Sequence, residues 1–133
     1  MTQHARGTFE VSMTPASAEG EAQDASLGRF ILDKQFHGDL EATSRGQMLT
    51  AATKVPTSAG YVAIERVVGT LAGRSGAFTL QHTGLMTRGA PELTIIITPD
   101  SGADQLAGLE GSLTITNDAG AHSYDLAYTL PED

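Results

Sequence analysis

The 133-residue sequence contains no cysteine and no tryptophan. Without cysteine the chain can form no disulfide, no thiolate nucleophile and no cysteine-ligated zinc or iron–sulfur site. A chain of this length is expected to form a single domain over residues 1–133, with enough buried surface to fold unaided. Disulfide scaffolds and thiol enzymes are therefore excluded.

Positive charge is scarce. Lys and Arg total 8 against 16 Asp and Glu, which gives a net charge of −8. Such an acidic chain is a poor candidate for binding nucleic-acid phosphates or an anionic membrane. Apolar runs are short, and residues 1–6 lack the apolar stretch of a secretory signal. We expect a cytoplasmic protein that binds neither nucleic acid nor membrane.

Motifs for metal, phosphate or nucleophilic chemistry are also missing. The four histidines stand on separate segments, without the spacing of a cupin or zinc site. No serine occupies a Gly-x-Ser-x-Gly elbow, and no glycine-rich loop carries a phosphate-binding lysine. The sequence predicts no metal and no cofactor.

Period-two alternation of apolar and polar residues recurs along the chain and predicts strands. A segment rich in Ala, Ser and Glu, residues 14–27, is predicted to be a mobile loop. The eight predicted strands cover residues 5–13, 28–36, 40–50, 61–72, 76–86, 93–98, 109–117 and 122–130.

Two predicted hairpins decide which residues face inward. A three-residue loop at 37–39 sets Phe36 opposite Leu40. A two-residue turn at Arg74-Ser75 sets His82 opposite Val67, which makes Glu65 the diagonal neighbour of His82.

A three-residue turn would instead bring Arg66 to that face in place of Glu65. The inward face of the predicted barrel would then hold no carboxylate beside His82.

Eight antiparallel strands joined by tight turns most naturally close into a barrel, because closure removes exposed sheet edges. A β-sandwich is the alternative. An eight-stranded barrel either fills with side chains or holds one small ligand. Small residues predicted to face inward favour some open volume: Ala42, Ser44, Gly46, Ala63, Gly69 and Gly84.

Glu65 and His82 are the candidate catalytic residues. In an apolar cavity they could form an acid/base pair, since desolvation would raise the pKa of the carboxyl toward neutrality. The alternative is structural: Glu65 pairs with Lys34 or Arg66, and His82 hydrogen-bonds a core tyrosine.

A wider set of inward residues is predicted to bind a ligand. Tyr61 begins its strand at the rim and could gate a pocket, whereas Tyr124 and Tyr128 alternate with leucines, which favours core positions. The full predicted ligand-binding set is Lys34, Phe36, Ser44, Met48, Tyr61, Phe78, Tyr124 and Tyr128.

One predicted strand is apolar on both faces, because Val62, Ile64 and Val68 alternate with the inward residues. Strands of that kind are typically buried on both sides. We therefore expect a homo-oligomer in which a second subunit covers these side chains.

Several segments resemble a bacterial group, the domain-of-unknown-function family 3224. They are Leu27-Gly28-Arg29, Asp33-Lys34-Gln35-Phe36-His37-Gly38-Asp39-Leu40-Glu41, Ala59-Gly60-Tyr61-Val62-Ala63-Ile64-Glu65, Gly73-Arg74-Ser75-Gly76, Leu80-Gln81-His82-Thr83-Gly84, Arg88-Gly89-Ala90-Pro91, Pro99-Asp100-Ser101-Gly102 and Leu106-Ala107-Gly108-Leu109. The resemblance implies an allene-oxide-cyclase-like, eight-stranded antiparallel barrel. It carries over no catalytic residue.

More distantly, residues 101–108 with Gly111 are similar to the glycine-rich bend of allene oxide cyclases and dirigent proteins. The resemblance to those families implies a barrel that guides apolar intermediates, in trimers or dimers.

Three functions fit these observations. The favoured one is binding of a small, mostly apolar metabolite inside the barrel. The second is a cofactor-free isomerase or cyclase that uses Glu65 and His82. The third is a structural or interaction module whose barrel is filled with side chains. An outward-facing Glu65 would weaken the second function, the isomerase or cyclase.

Overall fold

A computed structural model describes residues 1–16 and 26–131 of the chain, and these residues form nine β-strands. No helix within those ranges has the length and apolarity needed to cross a membrane. The strands are β1 (Gln3–Pro15), β2 (Leu27–Gly38), β3 (Leu40–Ala52), β4 (Ala59–Leu71), β5 (Arg74–Thr87), β6 (Ala90–Ile97), β7 (Ala103–Asp104), β8 (Glu110–Asp118) and β9 (Ala121–Thr129).

Eight of these strands form a closed antiparallel barrel. The order is β4-β3-β2-β1-β9-β8-β6-β5, and pairing of β4 with β5 closes the circle. The short strand β7 pairs with the start of β5 at Gly76 and Ala77. The predicted barrel is thus confirmed, and the β-sandwich alternative is wrong.

The strands extend further into the predicted 14–27 loop than the alternation indicated. Thr14 and Pro15 pair with Ile31 and Phe30, and Leu27 pairs with Ala51. Backbone hydrogen bonds continue both ladders, from Ala16 N to Arg29 O and from Ala52 N to Ser26 O. The rest of the predicted loop, residues 17–25, lies outside the described residues.

The hairpin between β4 and β5 turns earlier than predicted. Ala72 (φ 49°) and Gly73 (φ 85°) form the two-residue turn, with Leu71 opposite Arg74. Two successive residues with positive φ are typical of a type I′ hairpin turn, which matches the twist of the strands it joins.

The pairing of β4 with β5 is shifted by four residues as a result. His82 lies opposite Ala63, and the prediction that placed it opposite Val67 is wrong. Four is an even number, so every side chain keeps its predicted face.

The pairing of β2 with β3 is shifted by two residues. Phe36 lies opposite Ala42, so the predicted partner Leu40 is wrong. The predicted inward face of β3 is nevertheless confirmed at its first three positions, because Leu40, Ala42 and Ser44 are all buried.

One end of the barrel is closed by the core. Leu40, Leu71 and Leu126 fill it, and Leu106 and Leu109, from the segment between β7 and β8, cover it with almost no exposure. This segment belongs to the glycine-rich bend noted in the sequence. In the described residues the bend closes the barrel end.

Tyr124 connects the β2–β3 turn to the closed end of the barrel by hydrogen bonds. Its hydroxyl accepts a hydrogen bond from Leu40 N at 2.9 Å and lies 3.0 Å from the carbonyl oxygen of His37, to which it can donate. Phe36 packs edge-on against its ring. The predicted core position of Tyr124 is confirmed.

Candidate functional site

The inward residues form rows that run across the strands. Phe30, Met48, Ala63, His82 and Ile95 are successive partners from β2 to β6 and make one row. Leu32, Gly46, Glu65, Leu80 and Ile97 make the next row toward the closed end. Glu65 is therefore diagonal to His82, which puts the two side chains within reach of each other.

The carboxylate of Glu65 is the centre of a buried polar cluster. Its Oε2 lies 2.7 Å from Lys34 Nζ and 2.6 Å from His82 Nε2, and its Oε1 accepts a 2.6 Å hydrogen bond from the Ser44 hydroxyl. The side chains of Glu65, His82 and Lys34 are 0%, 4% and 7% exposed. We call Lys34, Ser44, Glu65 and His82 the polar cluster.

Gly46 makes room for this cluster. A Cβ on Gly46 would lie 2.0 Å from Ile64 O and 2.8 Å from Glu65 Cβ, so only glycine lets β3 and β4 approach this closely. With no side chain at Gly46 and a small one at Ser44, Lys34 on β2 reaches across β3 to Glu65 on β4.

The pKa of Glu65 moves opposite to the direction that acid/base catalysis was expected to require. Burial alone would raise the pKa, but the hydrogen bond from His82, the charge and hydrogen bond of Lys34 and the hydrogen bond from Ser44 lower it to about 2. Glu65 is therefore ionised at neutral pH, and the expectation that desolvation raises its pKa is corrected.

An ionised carboxylate only accepts hydrogen bonds, so His82 must carry its proton on Nε2 in this contact. Lys34 also lies 5.3 Å from the ring centroid of Phe9 and 5.9 Å from that of Phe36, distances at which a cation is attracted to an aromatic face. Of the two alternatives to catalysis weighed for Glu65, the pair with Lys34 is the one observed.

The other end of the barrel opens into a cavity of about 580 Å³, which we call the end cavity. It lies where the β3–β4 and β5–β6 turns meet. Tyr61 packs over Gly84, where an added Cβ would lie 2.2 Å from the ring. The lining residues are Met13, Met48, Thr50, Ala51, Ala52, Ala59, Gly60, Tyr61, Gly84, Leu85, Met86, Pro91, Glu92 and Leu93.

The end cavity and the polar cluster are neighbours. The ring centroids of Tyr61 and His82 are 6.4 Å apart. Met48, which lines the cavity, belongs to the same row as His82. Burial and the charge of Glu65 both raise the pKa of Tyr61, so its phenol stays protonated at neutral pH.

The predicted site residues separate into three groups. Lys34, Ser44, Glu65 and His82 come together in the polar cluster, and Met48 and Tyr61 line the end cavity. The remaining four belong to the closed core, away from the cavity: Phe36, Phe78, Tyr124 and Tyr128.

The small inward residues do not all leave open space. A Cβ on Gly69 would lie 2.2 Å from Glu41 O, so Gly69, like Gly46, marks a close approach of two strands. Of the six residues expected to favour open volume, Gly84 is the one that lines the end cavity. The volume comes from the open end of the barrel.

Several cavity residues were missed because the strands run further toward the open end than predicted. Ala52 and Ala59 pair with each other beyond the predicted strand ends, whereas Met13 is the last residue of the predicted strand 5–13. Met86 and Leu93 were predicted to face inward but are 40% and 46% exposed, because they lie at the rim. The continued alternation at Ala52 and Ala59 is the signal that could have identified them.

The outer face of β4 carries the apolar residues noted in the sequence. Val62, Ile64 and Val68 are 50%, 55% and 54% exposed. Ile31, Gln47, Ile64, Gln81 and Ile96 lie side by side across β2 to β6.

In residues 1–16 and 26–131 no cluster of His, Asp or Glu has the arrangement to hold a metal ion.

Comparison with known proteins gives the family. Residues 5–128 match the family described as Protein of unknown function (DUF3224). The chain belongs to this family. A crystal structure of a DUF3224 protein with unknown function from Shewanella oneidensis MR-1 is similar to the whole chain, with a TM-score of 0.92, 44% sequence identity and 100% coverage of both chains. No curated protein matches the chain.

Proposed function

We propose that the protein binds a small, mostly apolar molecule in the end cavity. The observation that carries this proposal is an apolar cavity of about 580 Å³ at the open end of the barrel. Binding sites for small molecules occupy roughly 300–1,000 Å³, are mostly apolar and often lie in the mouths of β-barrels.

The composition of the wall supports the same proposal. Met13, Met48 and Met86 line the cavity together with Leu85 and Leu93. Methionine side chains are flexible and polarizable, so they adapt to ligands of different shape. The buried core stabilises the barrel at the closed end, so the residues of the cavity wall are not needed for that stabilisation.

Titration with the neutral fluorescent probe N-phenyl-1-naphthylamine tests this proposal. We expect saturable binding at one site per chain. Ala59→Phe should block it, because Ala59 faces the cavity between Ala52 and Met86. Ala107→Phe is the matched control, since Ala107 is exposed and belongs to the segment at the closed end. Equal binding by wild type and Ala59→Phe would contradict the proposal.

A cofactor-free isomerase or cyclase is the second candidate, and the position of His82 beside the end cavity favours it. With the pKa of Glu65 at about 2, the carboxylate is a poor proton acceptor at neutral pH. In this candidate His82 moves the proton, and Glu65 holds its ring and tautomer.

This second candidate requires turnover as well as binding. Proton NMR of a bound apolar compound should show conversion that His82→Gln abolishes while binding of N-phenyl-1-naphthylamine is retained. If the wild type binds the compound without converting it, the isomerase or cyclase candidate is wrong and the binding function is the one that remains.

A further inference from the structure

The wall of the end cavity carries very little charge. Its polar residues on the inward rows are Thr50 and Tyr61. Glu92 is the one charged residue among the described lining residues, and it is exposed and belongs to the alternate, outward row at the rim. The chain has eight Lys and Arg residues, all within residues 1–16 and 26–131, and none of them lines the cavity. Residues 17–25, which precede β2, contain no Lys or Arg.

Two cations stand near the mouth, Lys54 in the β3–β4 turn and Arg88 in the β5–β6 turn. Both residues are exposed. An ion pair between a solvated ligand carboxylate and such a side chain contributes little, because water screens the attraction. A carboxylate inside the cavity would lose its hydration and meet no cation on the wall.

Tyr61 supplies the hydrogen-bonding group that a buried ligand could meet. It is half-buried and lines the cavity, and its hydroxyl makes no hydrogen bond to any residue that the structure describes. A protonated phenol donates one hydrogen bond, which a ligand hydroxyl or carbonyl oxygen can accept. Its apolar ring belongs to the wall, so the ligand would contact both the ring and the hydroxyl.

We infer that the end cavity selects uncharged ligands, with an apolar body and one hydroxyl or carbonyl oxygen that accepts a hydrogen bond from Tyr61, and that it rejects carboxylates of the same length. This inference rests on the proposed function, since it concerns the ligand class of the same cavity.

Displacement of N-phenyl-1-naphthylamine by matched ten-carbon compounds tests the ligand class. At pH 8 we expect 1-decanol and 2-decanone to displace the probe, and ionised decanoate to bind at least about tenfold more weakly than 1-decanol.

Two tyrosine variants test the role of the hydroxyl. Tyr61→Phe should weaken the binding of 1-decanol and of 2-decanone by about three- to tenfold, because the donor to their oxygen atom is lost. Tyr128→Phe is the matched control, because it removes a hydroxyl bonded to Gln3 in the closed half of the barrel. Circular dichroism would verify that both variants fold.

The outcomes separate the inference from the proposed function. Decanoate binding as tightly as 1-decanol, or equal binding of 1-decanol by Tyr61→Phe and wild type, would overturn the inference alone. If decanoate binds tightly and loses affinity in Lys54→Gln or Arg88→Gln, the head group meets those cations and the inference is wrong. Failure of the wild type to bind any of these compounds, the probe included, would overturn the proposed function.

Discussion

At the scale of single residues, the polar cluster shows how a buried charge is stabilised inside a small barrel. Glu65 is fully buried, yet three donors on three different strands surround its carboxylate. A buried ion pair costs desolvation, and removing one partner leaves the other charge uncompensated. The cluster therefore requires all of its members to be present together.

The pKa of Glu65 gives a test at this scale. The folded value of about 2 lies below the ordinary value of 4.5, so the resulting stabilisation is complete above pH 4.5 and is lost as the pH falls toward 2. From that shift we expect the free energy of unfolding to fall by about 3 kcal/mol over this range. Urea unfolding measures the loss, and carbon-13 NMR of the glutamate side chain follows the titration itself.

Variants of the partners sharpen this test. Lys34→Met and His82→Gln should each raise the pKa of Glu65, because the burial remains while a stabilising partner is lost. Lys54→Met is the matched control, since it removes an exposed lysine of the β3–β4 turn that is not a member of the cluster. If Glu65 has a pKa near 4.5, and neither Lys34→Met nor His82→Gln changes it, the claim that the polar cluster lowers this pKa is wrong.

At the scale of elements, the hairpin turns decide how the strands pair. The β4–β5, β5–β6 and β8–β9 connections each place a non-glycine residue and then a glycine at positive φ: Ala72-Gly73, Arg88-Gly89 and Ala119-Gly120. Alanine adopts this conformation at a cost that Asn or Gly largely avoids. The β4–β5 turn therefore holds strain that a substitution can relieve or increase.

Two substitutions in this turn should change stability in opposite directions. Ala72→Asn should stabilise the protein by about 0.5–1 kcal/mol, because Asn tolerates the left-handed conformation. Gly73→Ala should destabilise it by about 1–2 kcal/mol through backbone strain alone, since an added Cβ would meet nothing within 4 Å. Urea unfolding of both variants checks the signs, and a loss of stability in Ala72→Asn would contradict the turn assignment.

The same turns show what could be predicted from the sequence. Alternation located all eight barrel strands, since a period of two is a property of local sequence. Register was harder, because Arg74-Ser75 and Ala72-Gly73 both offer a two-residue turn, and only the second supplies glycine where positive φ is needed. Both register errors were even numbers of residues, so the inward faces, and with them the contact of Glu65 with His82, were still predicted correctly.

The partner of Glu65, which the sequence left open, depends on the distance between strands that are not neighbours. Lys34 reaches Glu65 across β3, and this contact follows from Gly46 and Ser44 together. The sequence offered Lys34 and Arg66 as alternative partners of Glu65. Arg66 faces outward, where its guanidinium donates to Ser101 O.

At the scale of the whole molecule, the outer apolar residues remain the basis for the predicted homo-oligomer. Leu49 and Val62 are directly opposite each other, and Ile64 follows on the same face of β4. Two faces of this kind, brought together from two copies, would remove these side chains from water. Arg66 lies beside them, and its guanidinium is already hydrogen-bonded within its own chain.

Light scattering at micromolar concentration checks the assembly. We expect the wild type to be larger than one chain and Ile64→Lys to be a monomer, because a buried, unpaired ammonium costs several kcal/mol. Thr116→Lys is the matched control, as it adds the same charge at an exposed position on β8. A wild type with the mass of a single chain would contradict the predicted oligomer.

The division of the barrel into a closed half and an open half has a consequence for how such proteins diverge. Leu71, Val67 and Leu126 are 0% exposed, whereas Met13 at the cavity is 54% exposed, and the cost of a substitution falls with exposure. Mutations around the mouth therefore destabilise the chain less than mutations in the closed half. Descendants of one ancestral sequence can therefore exchange cavity residues while inheriting the same barrel.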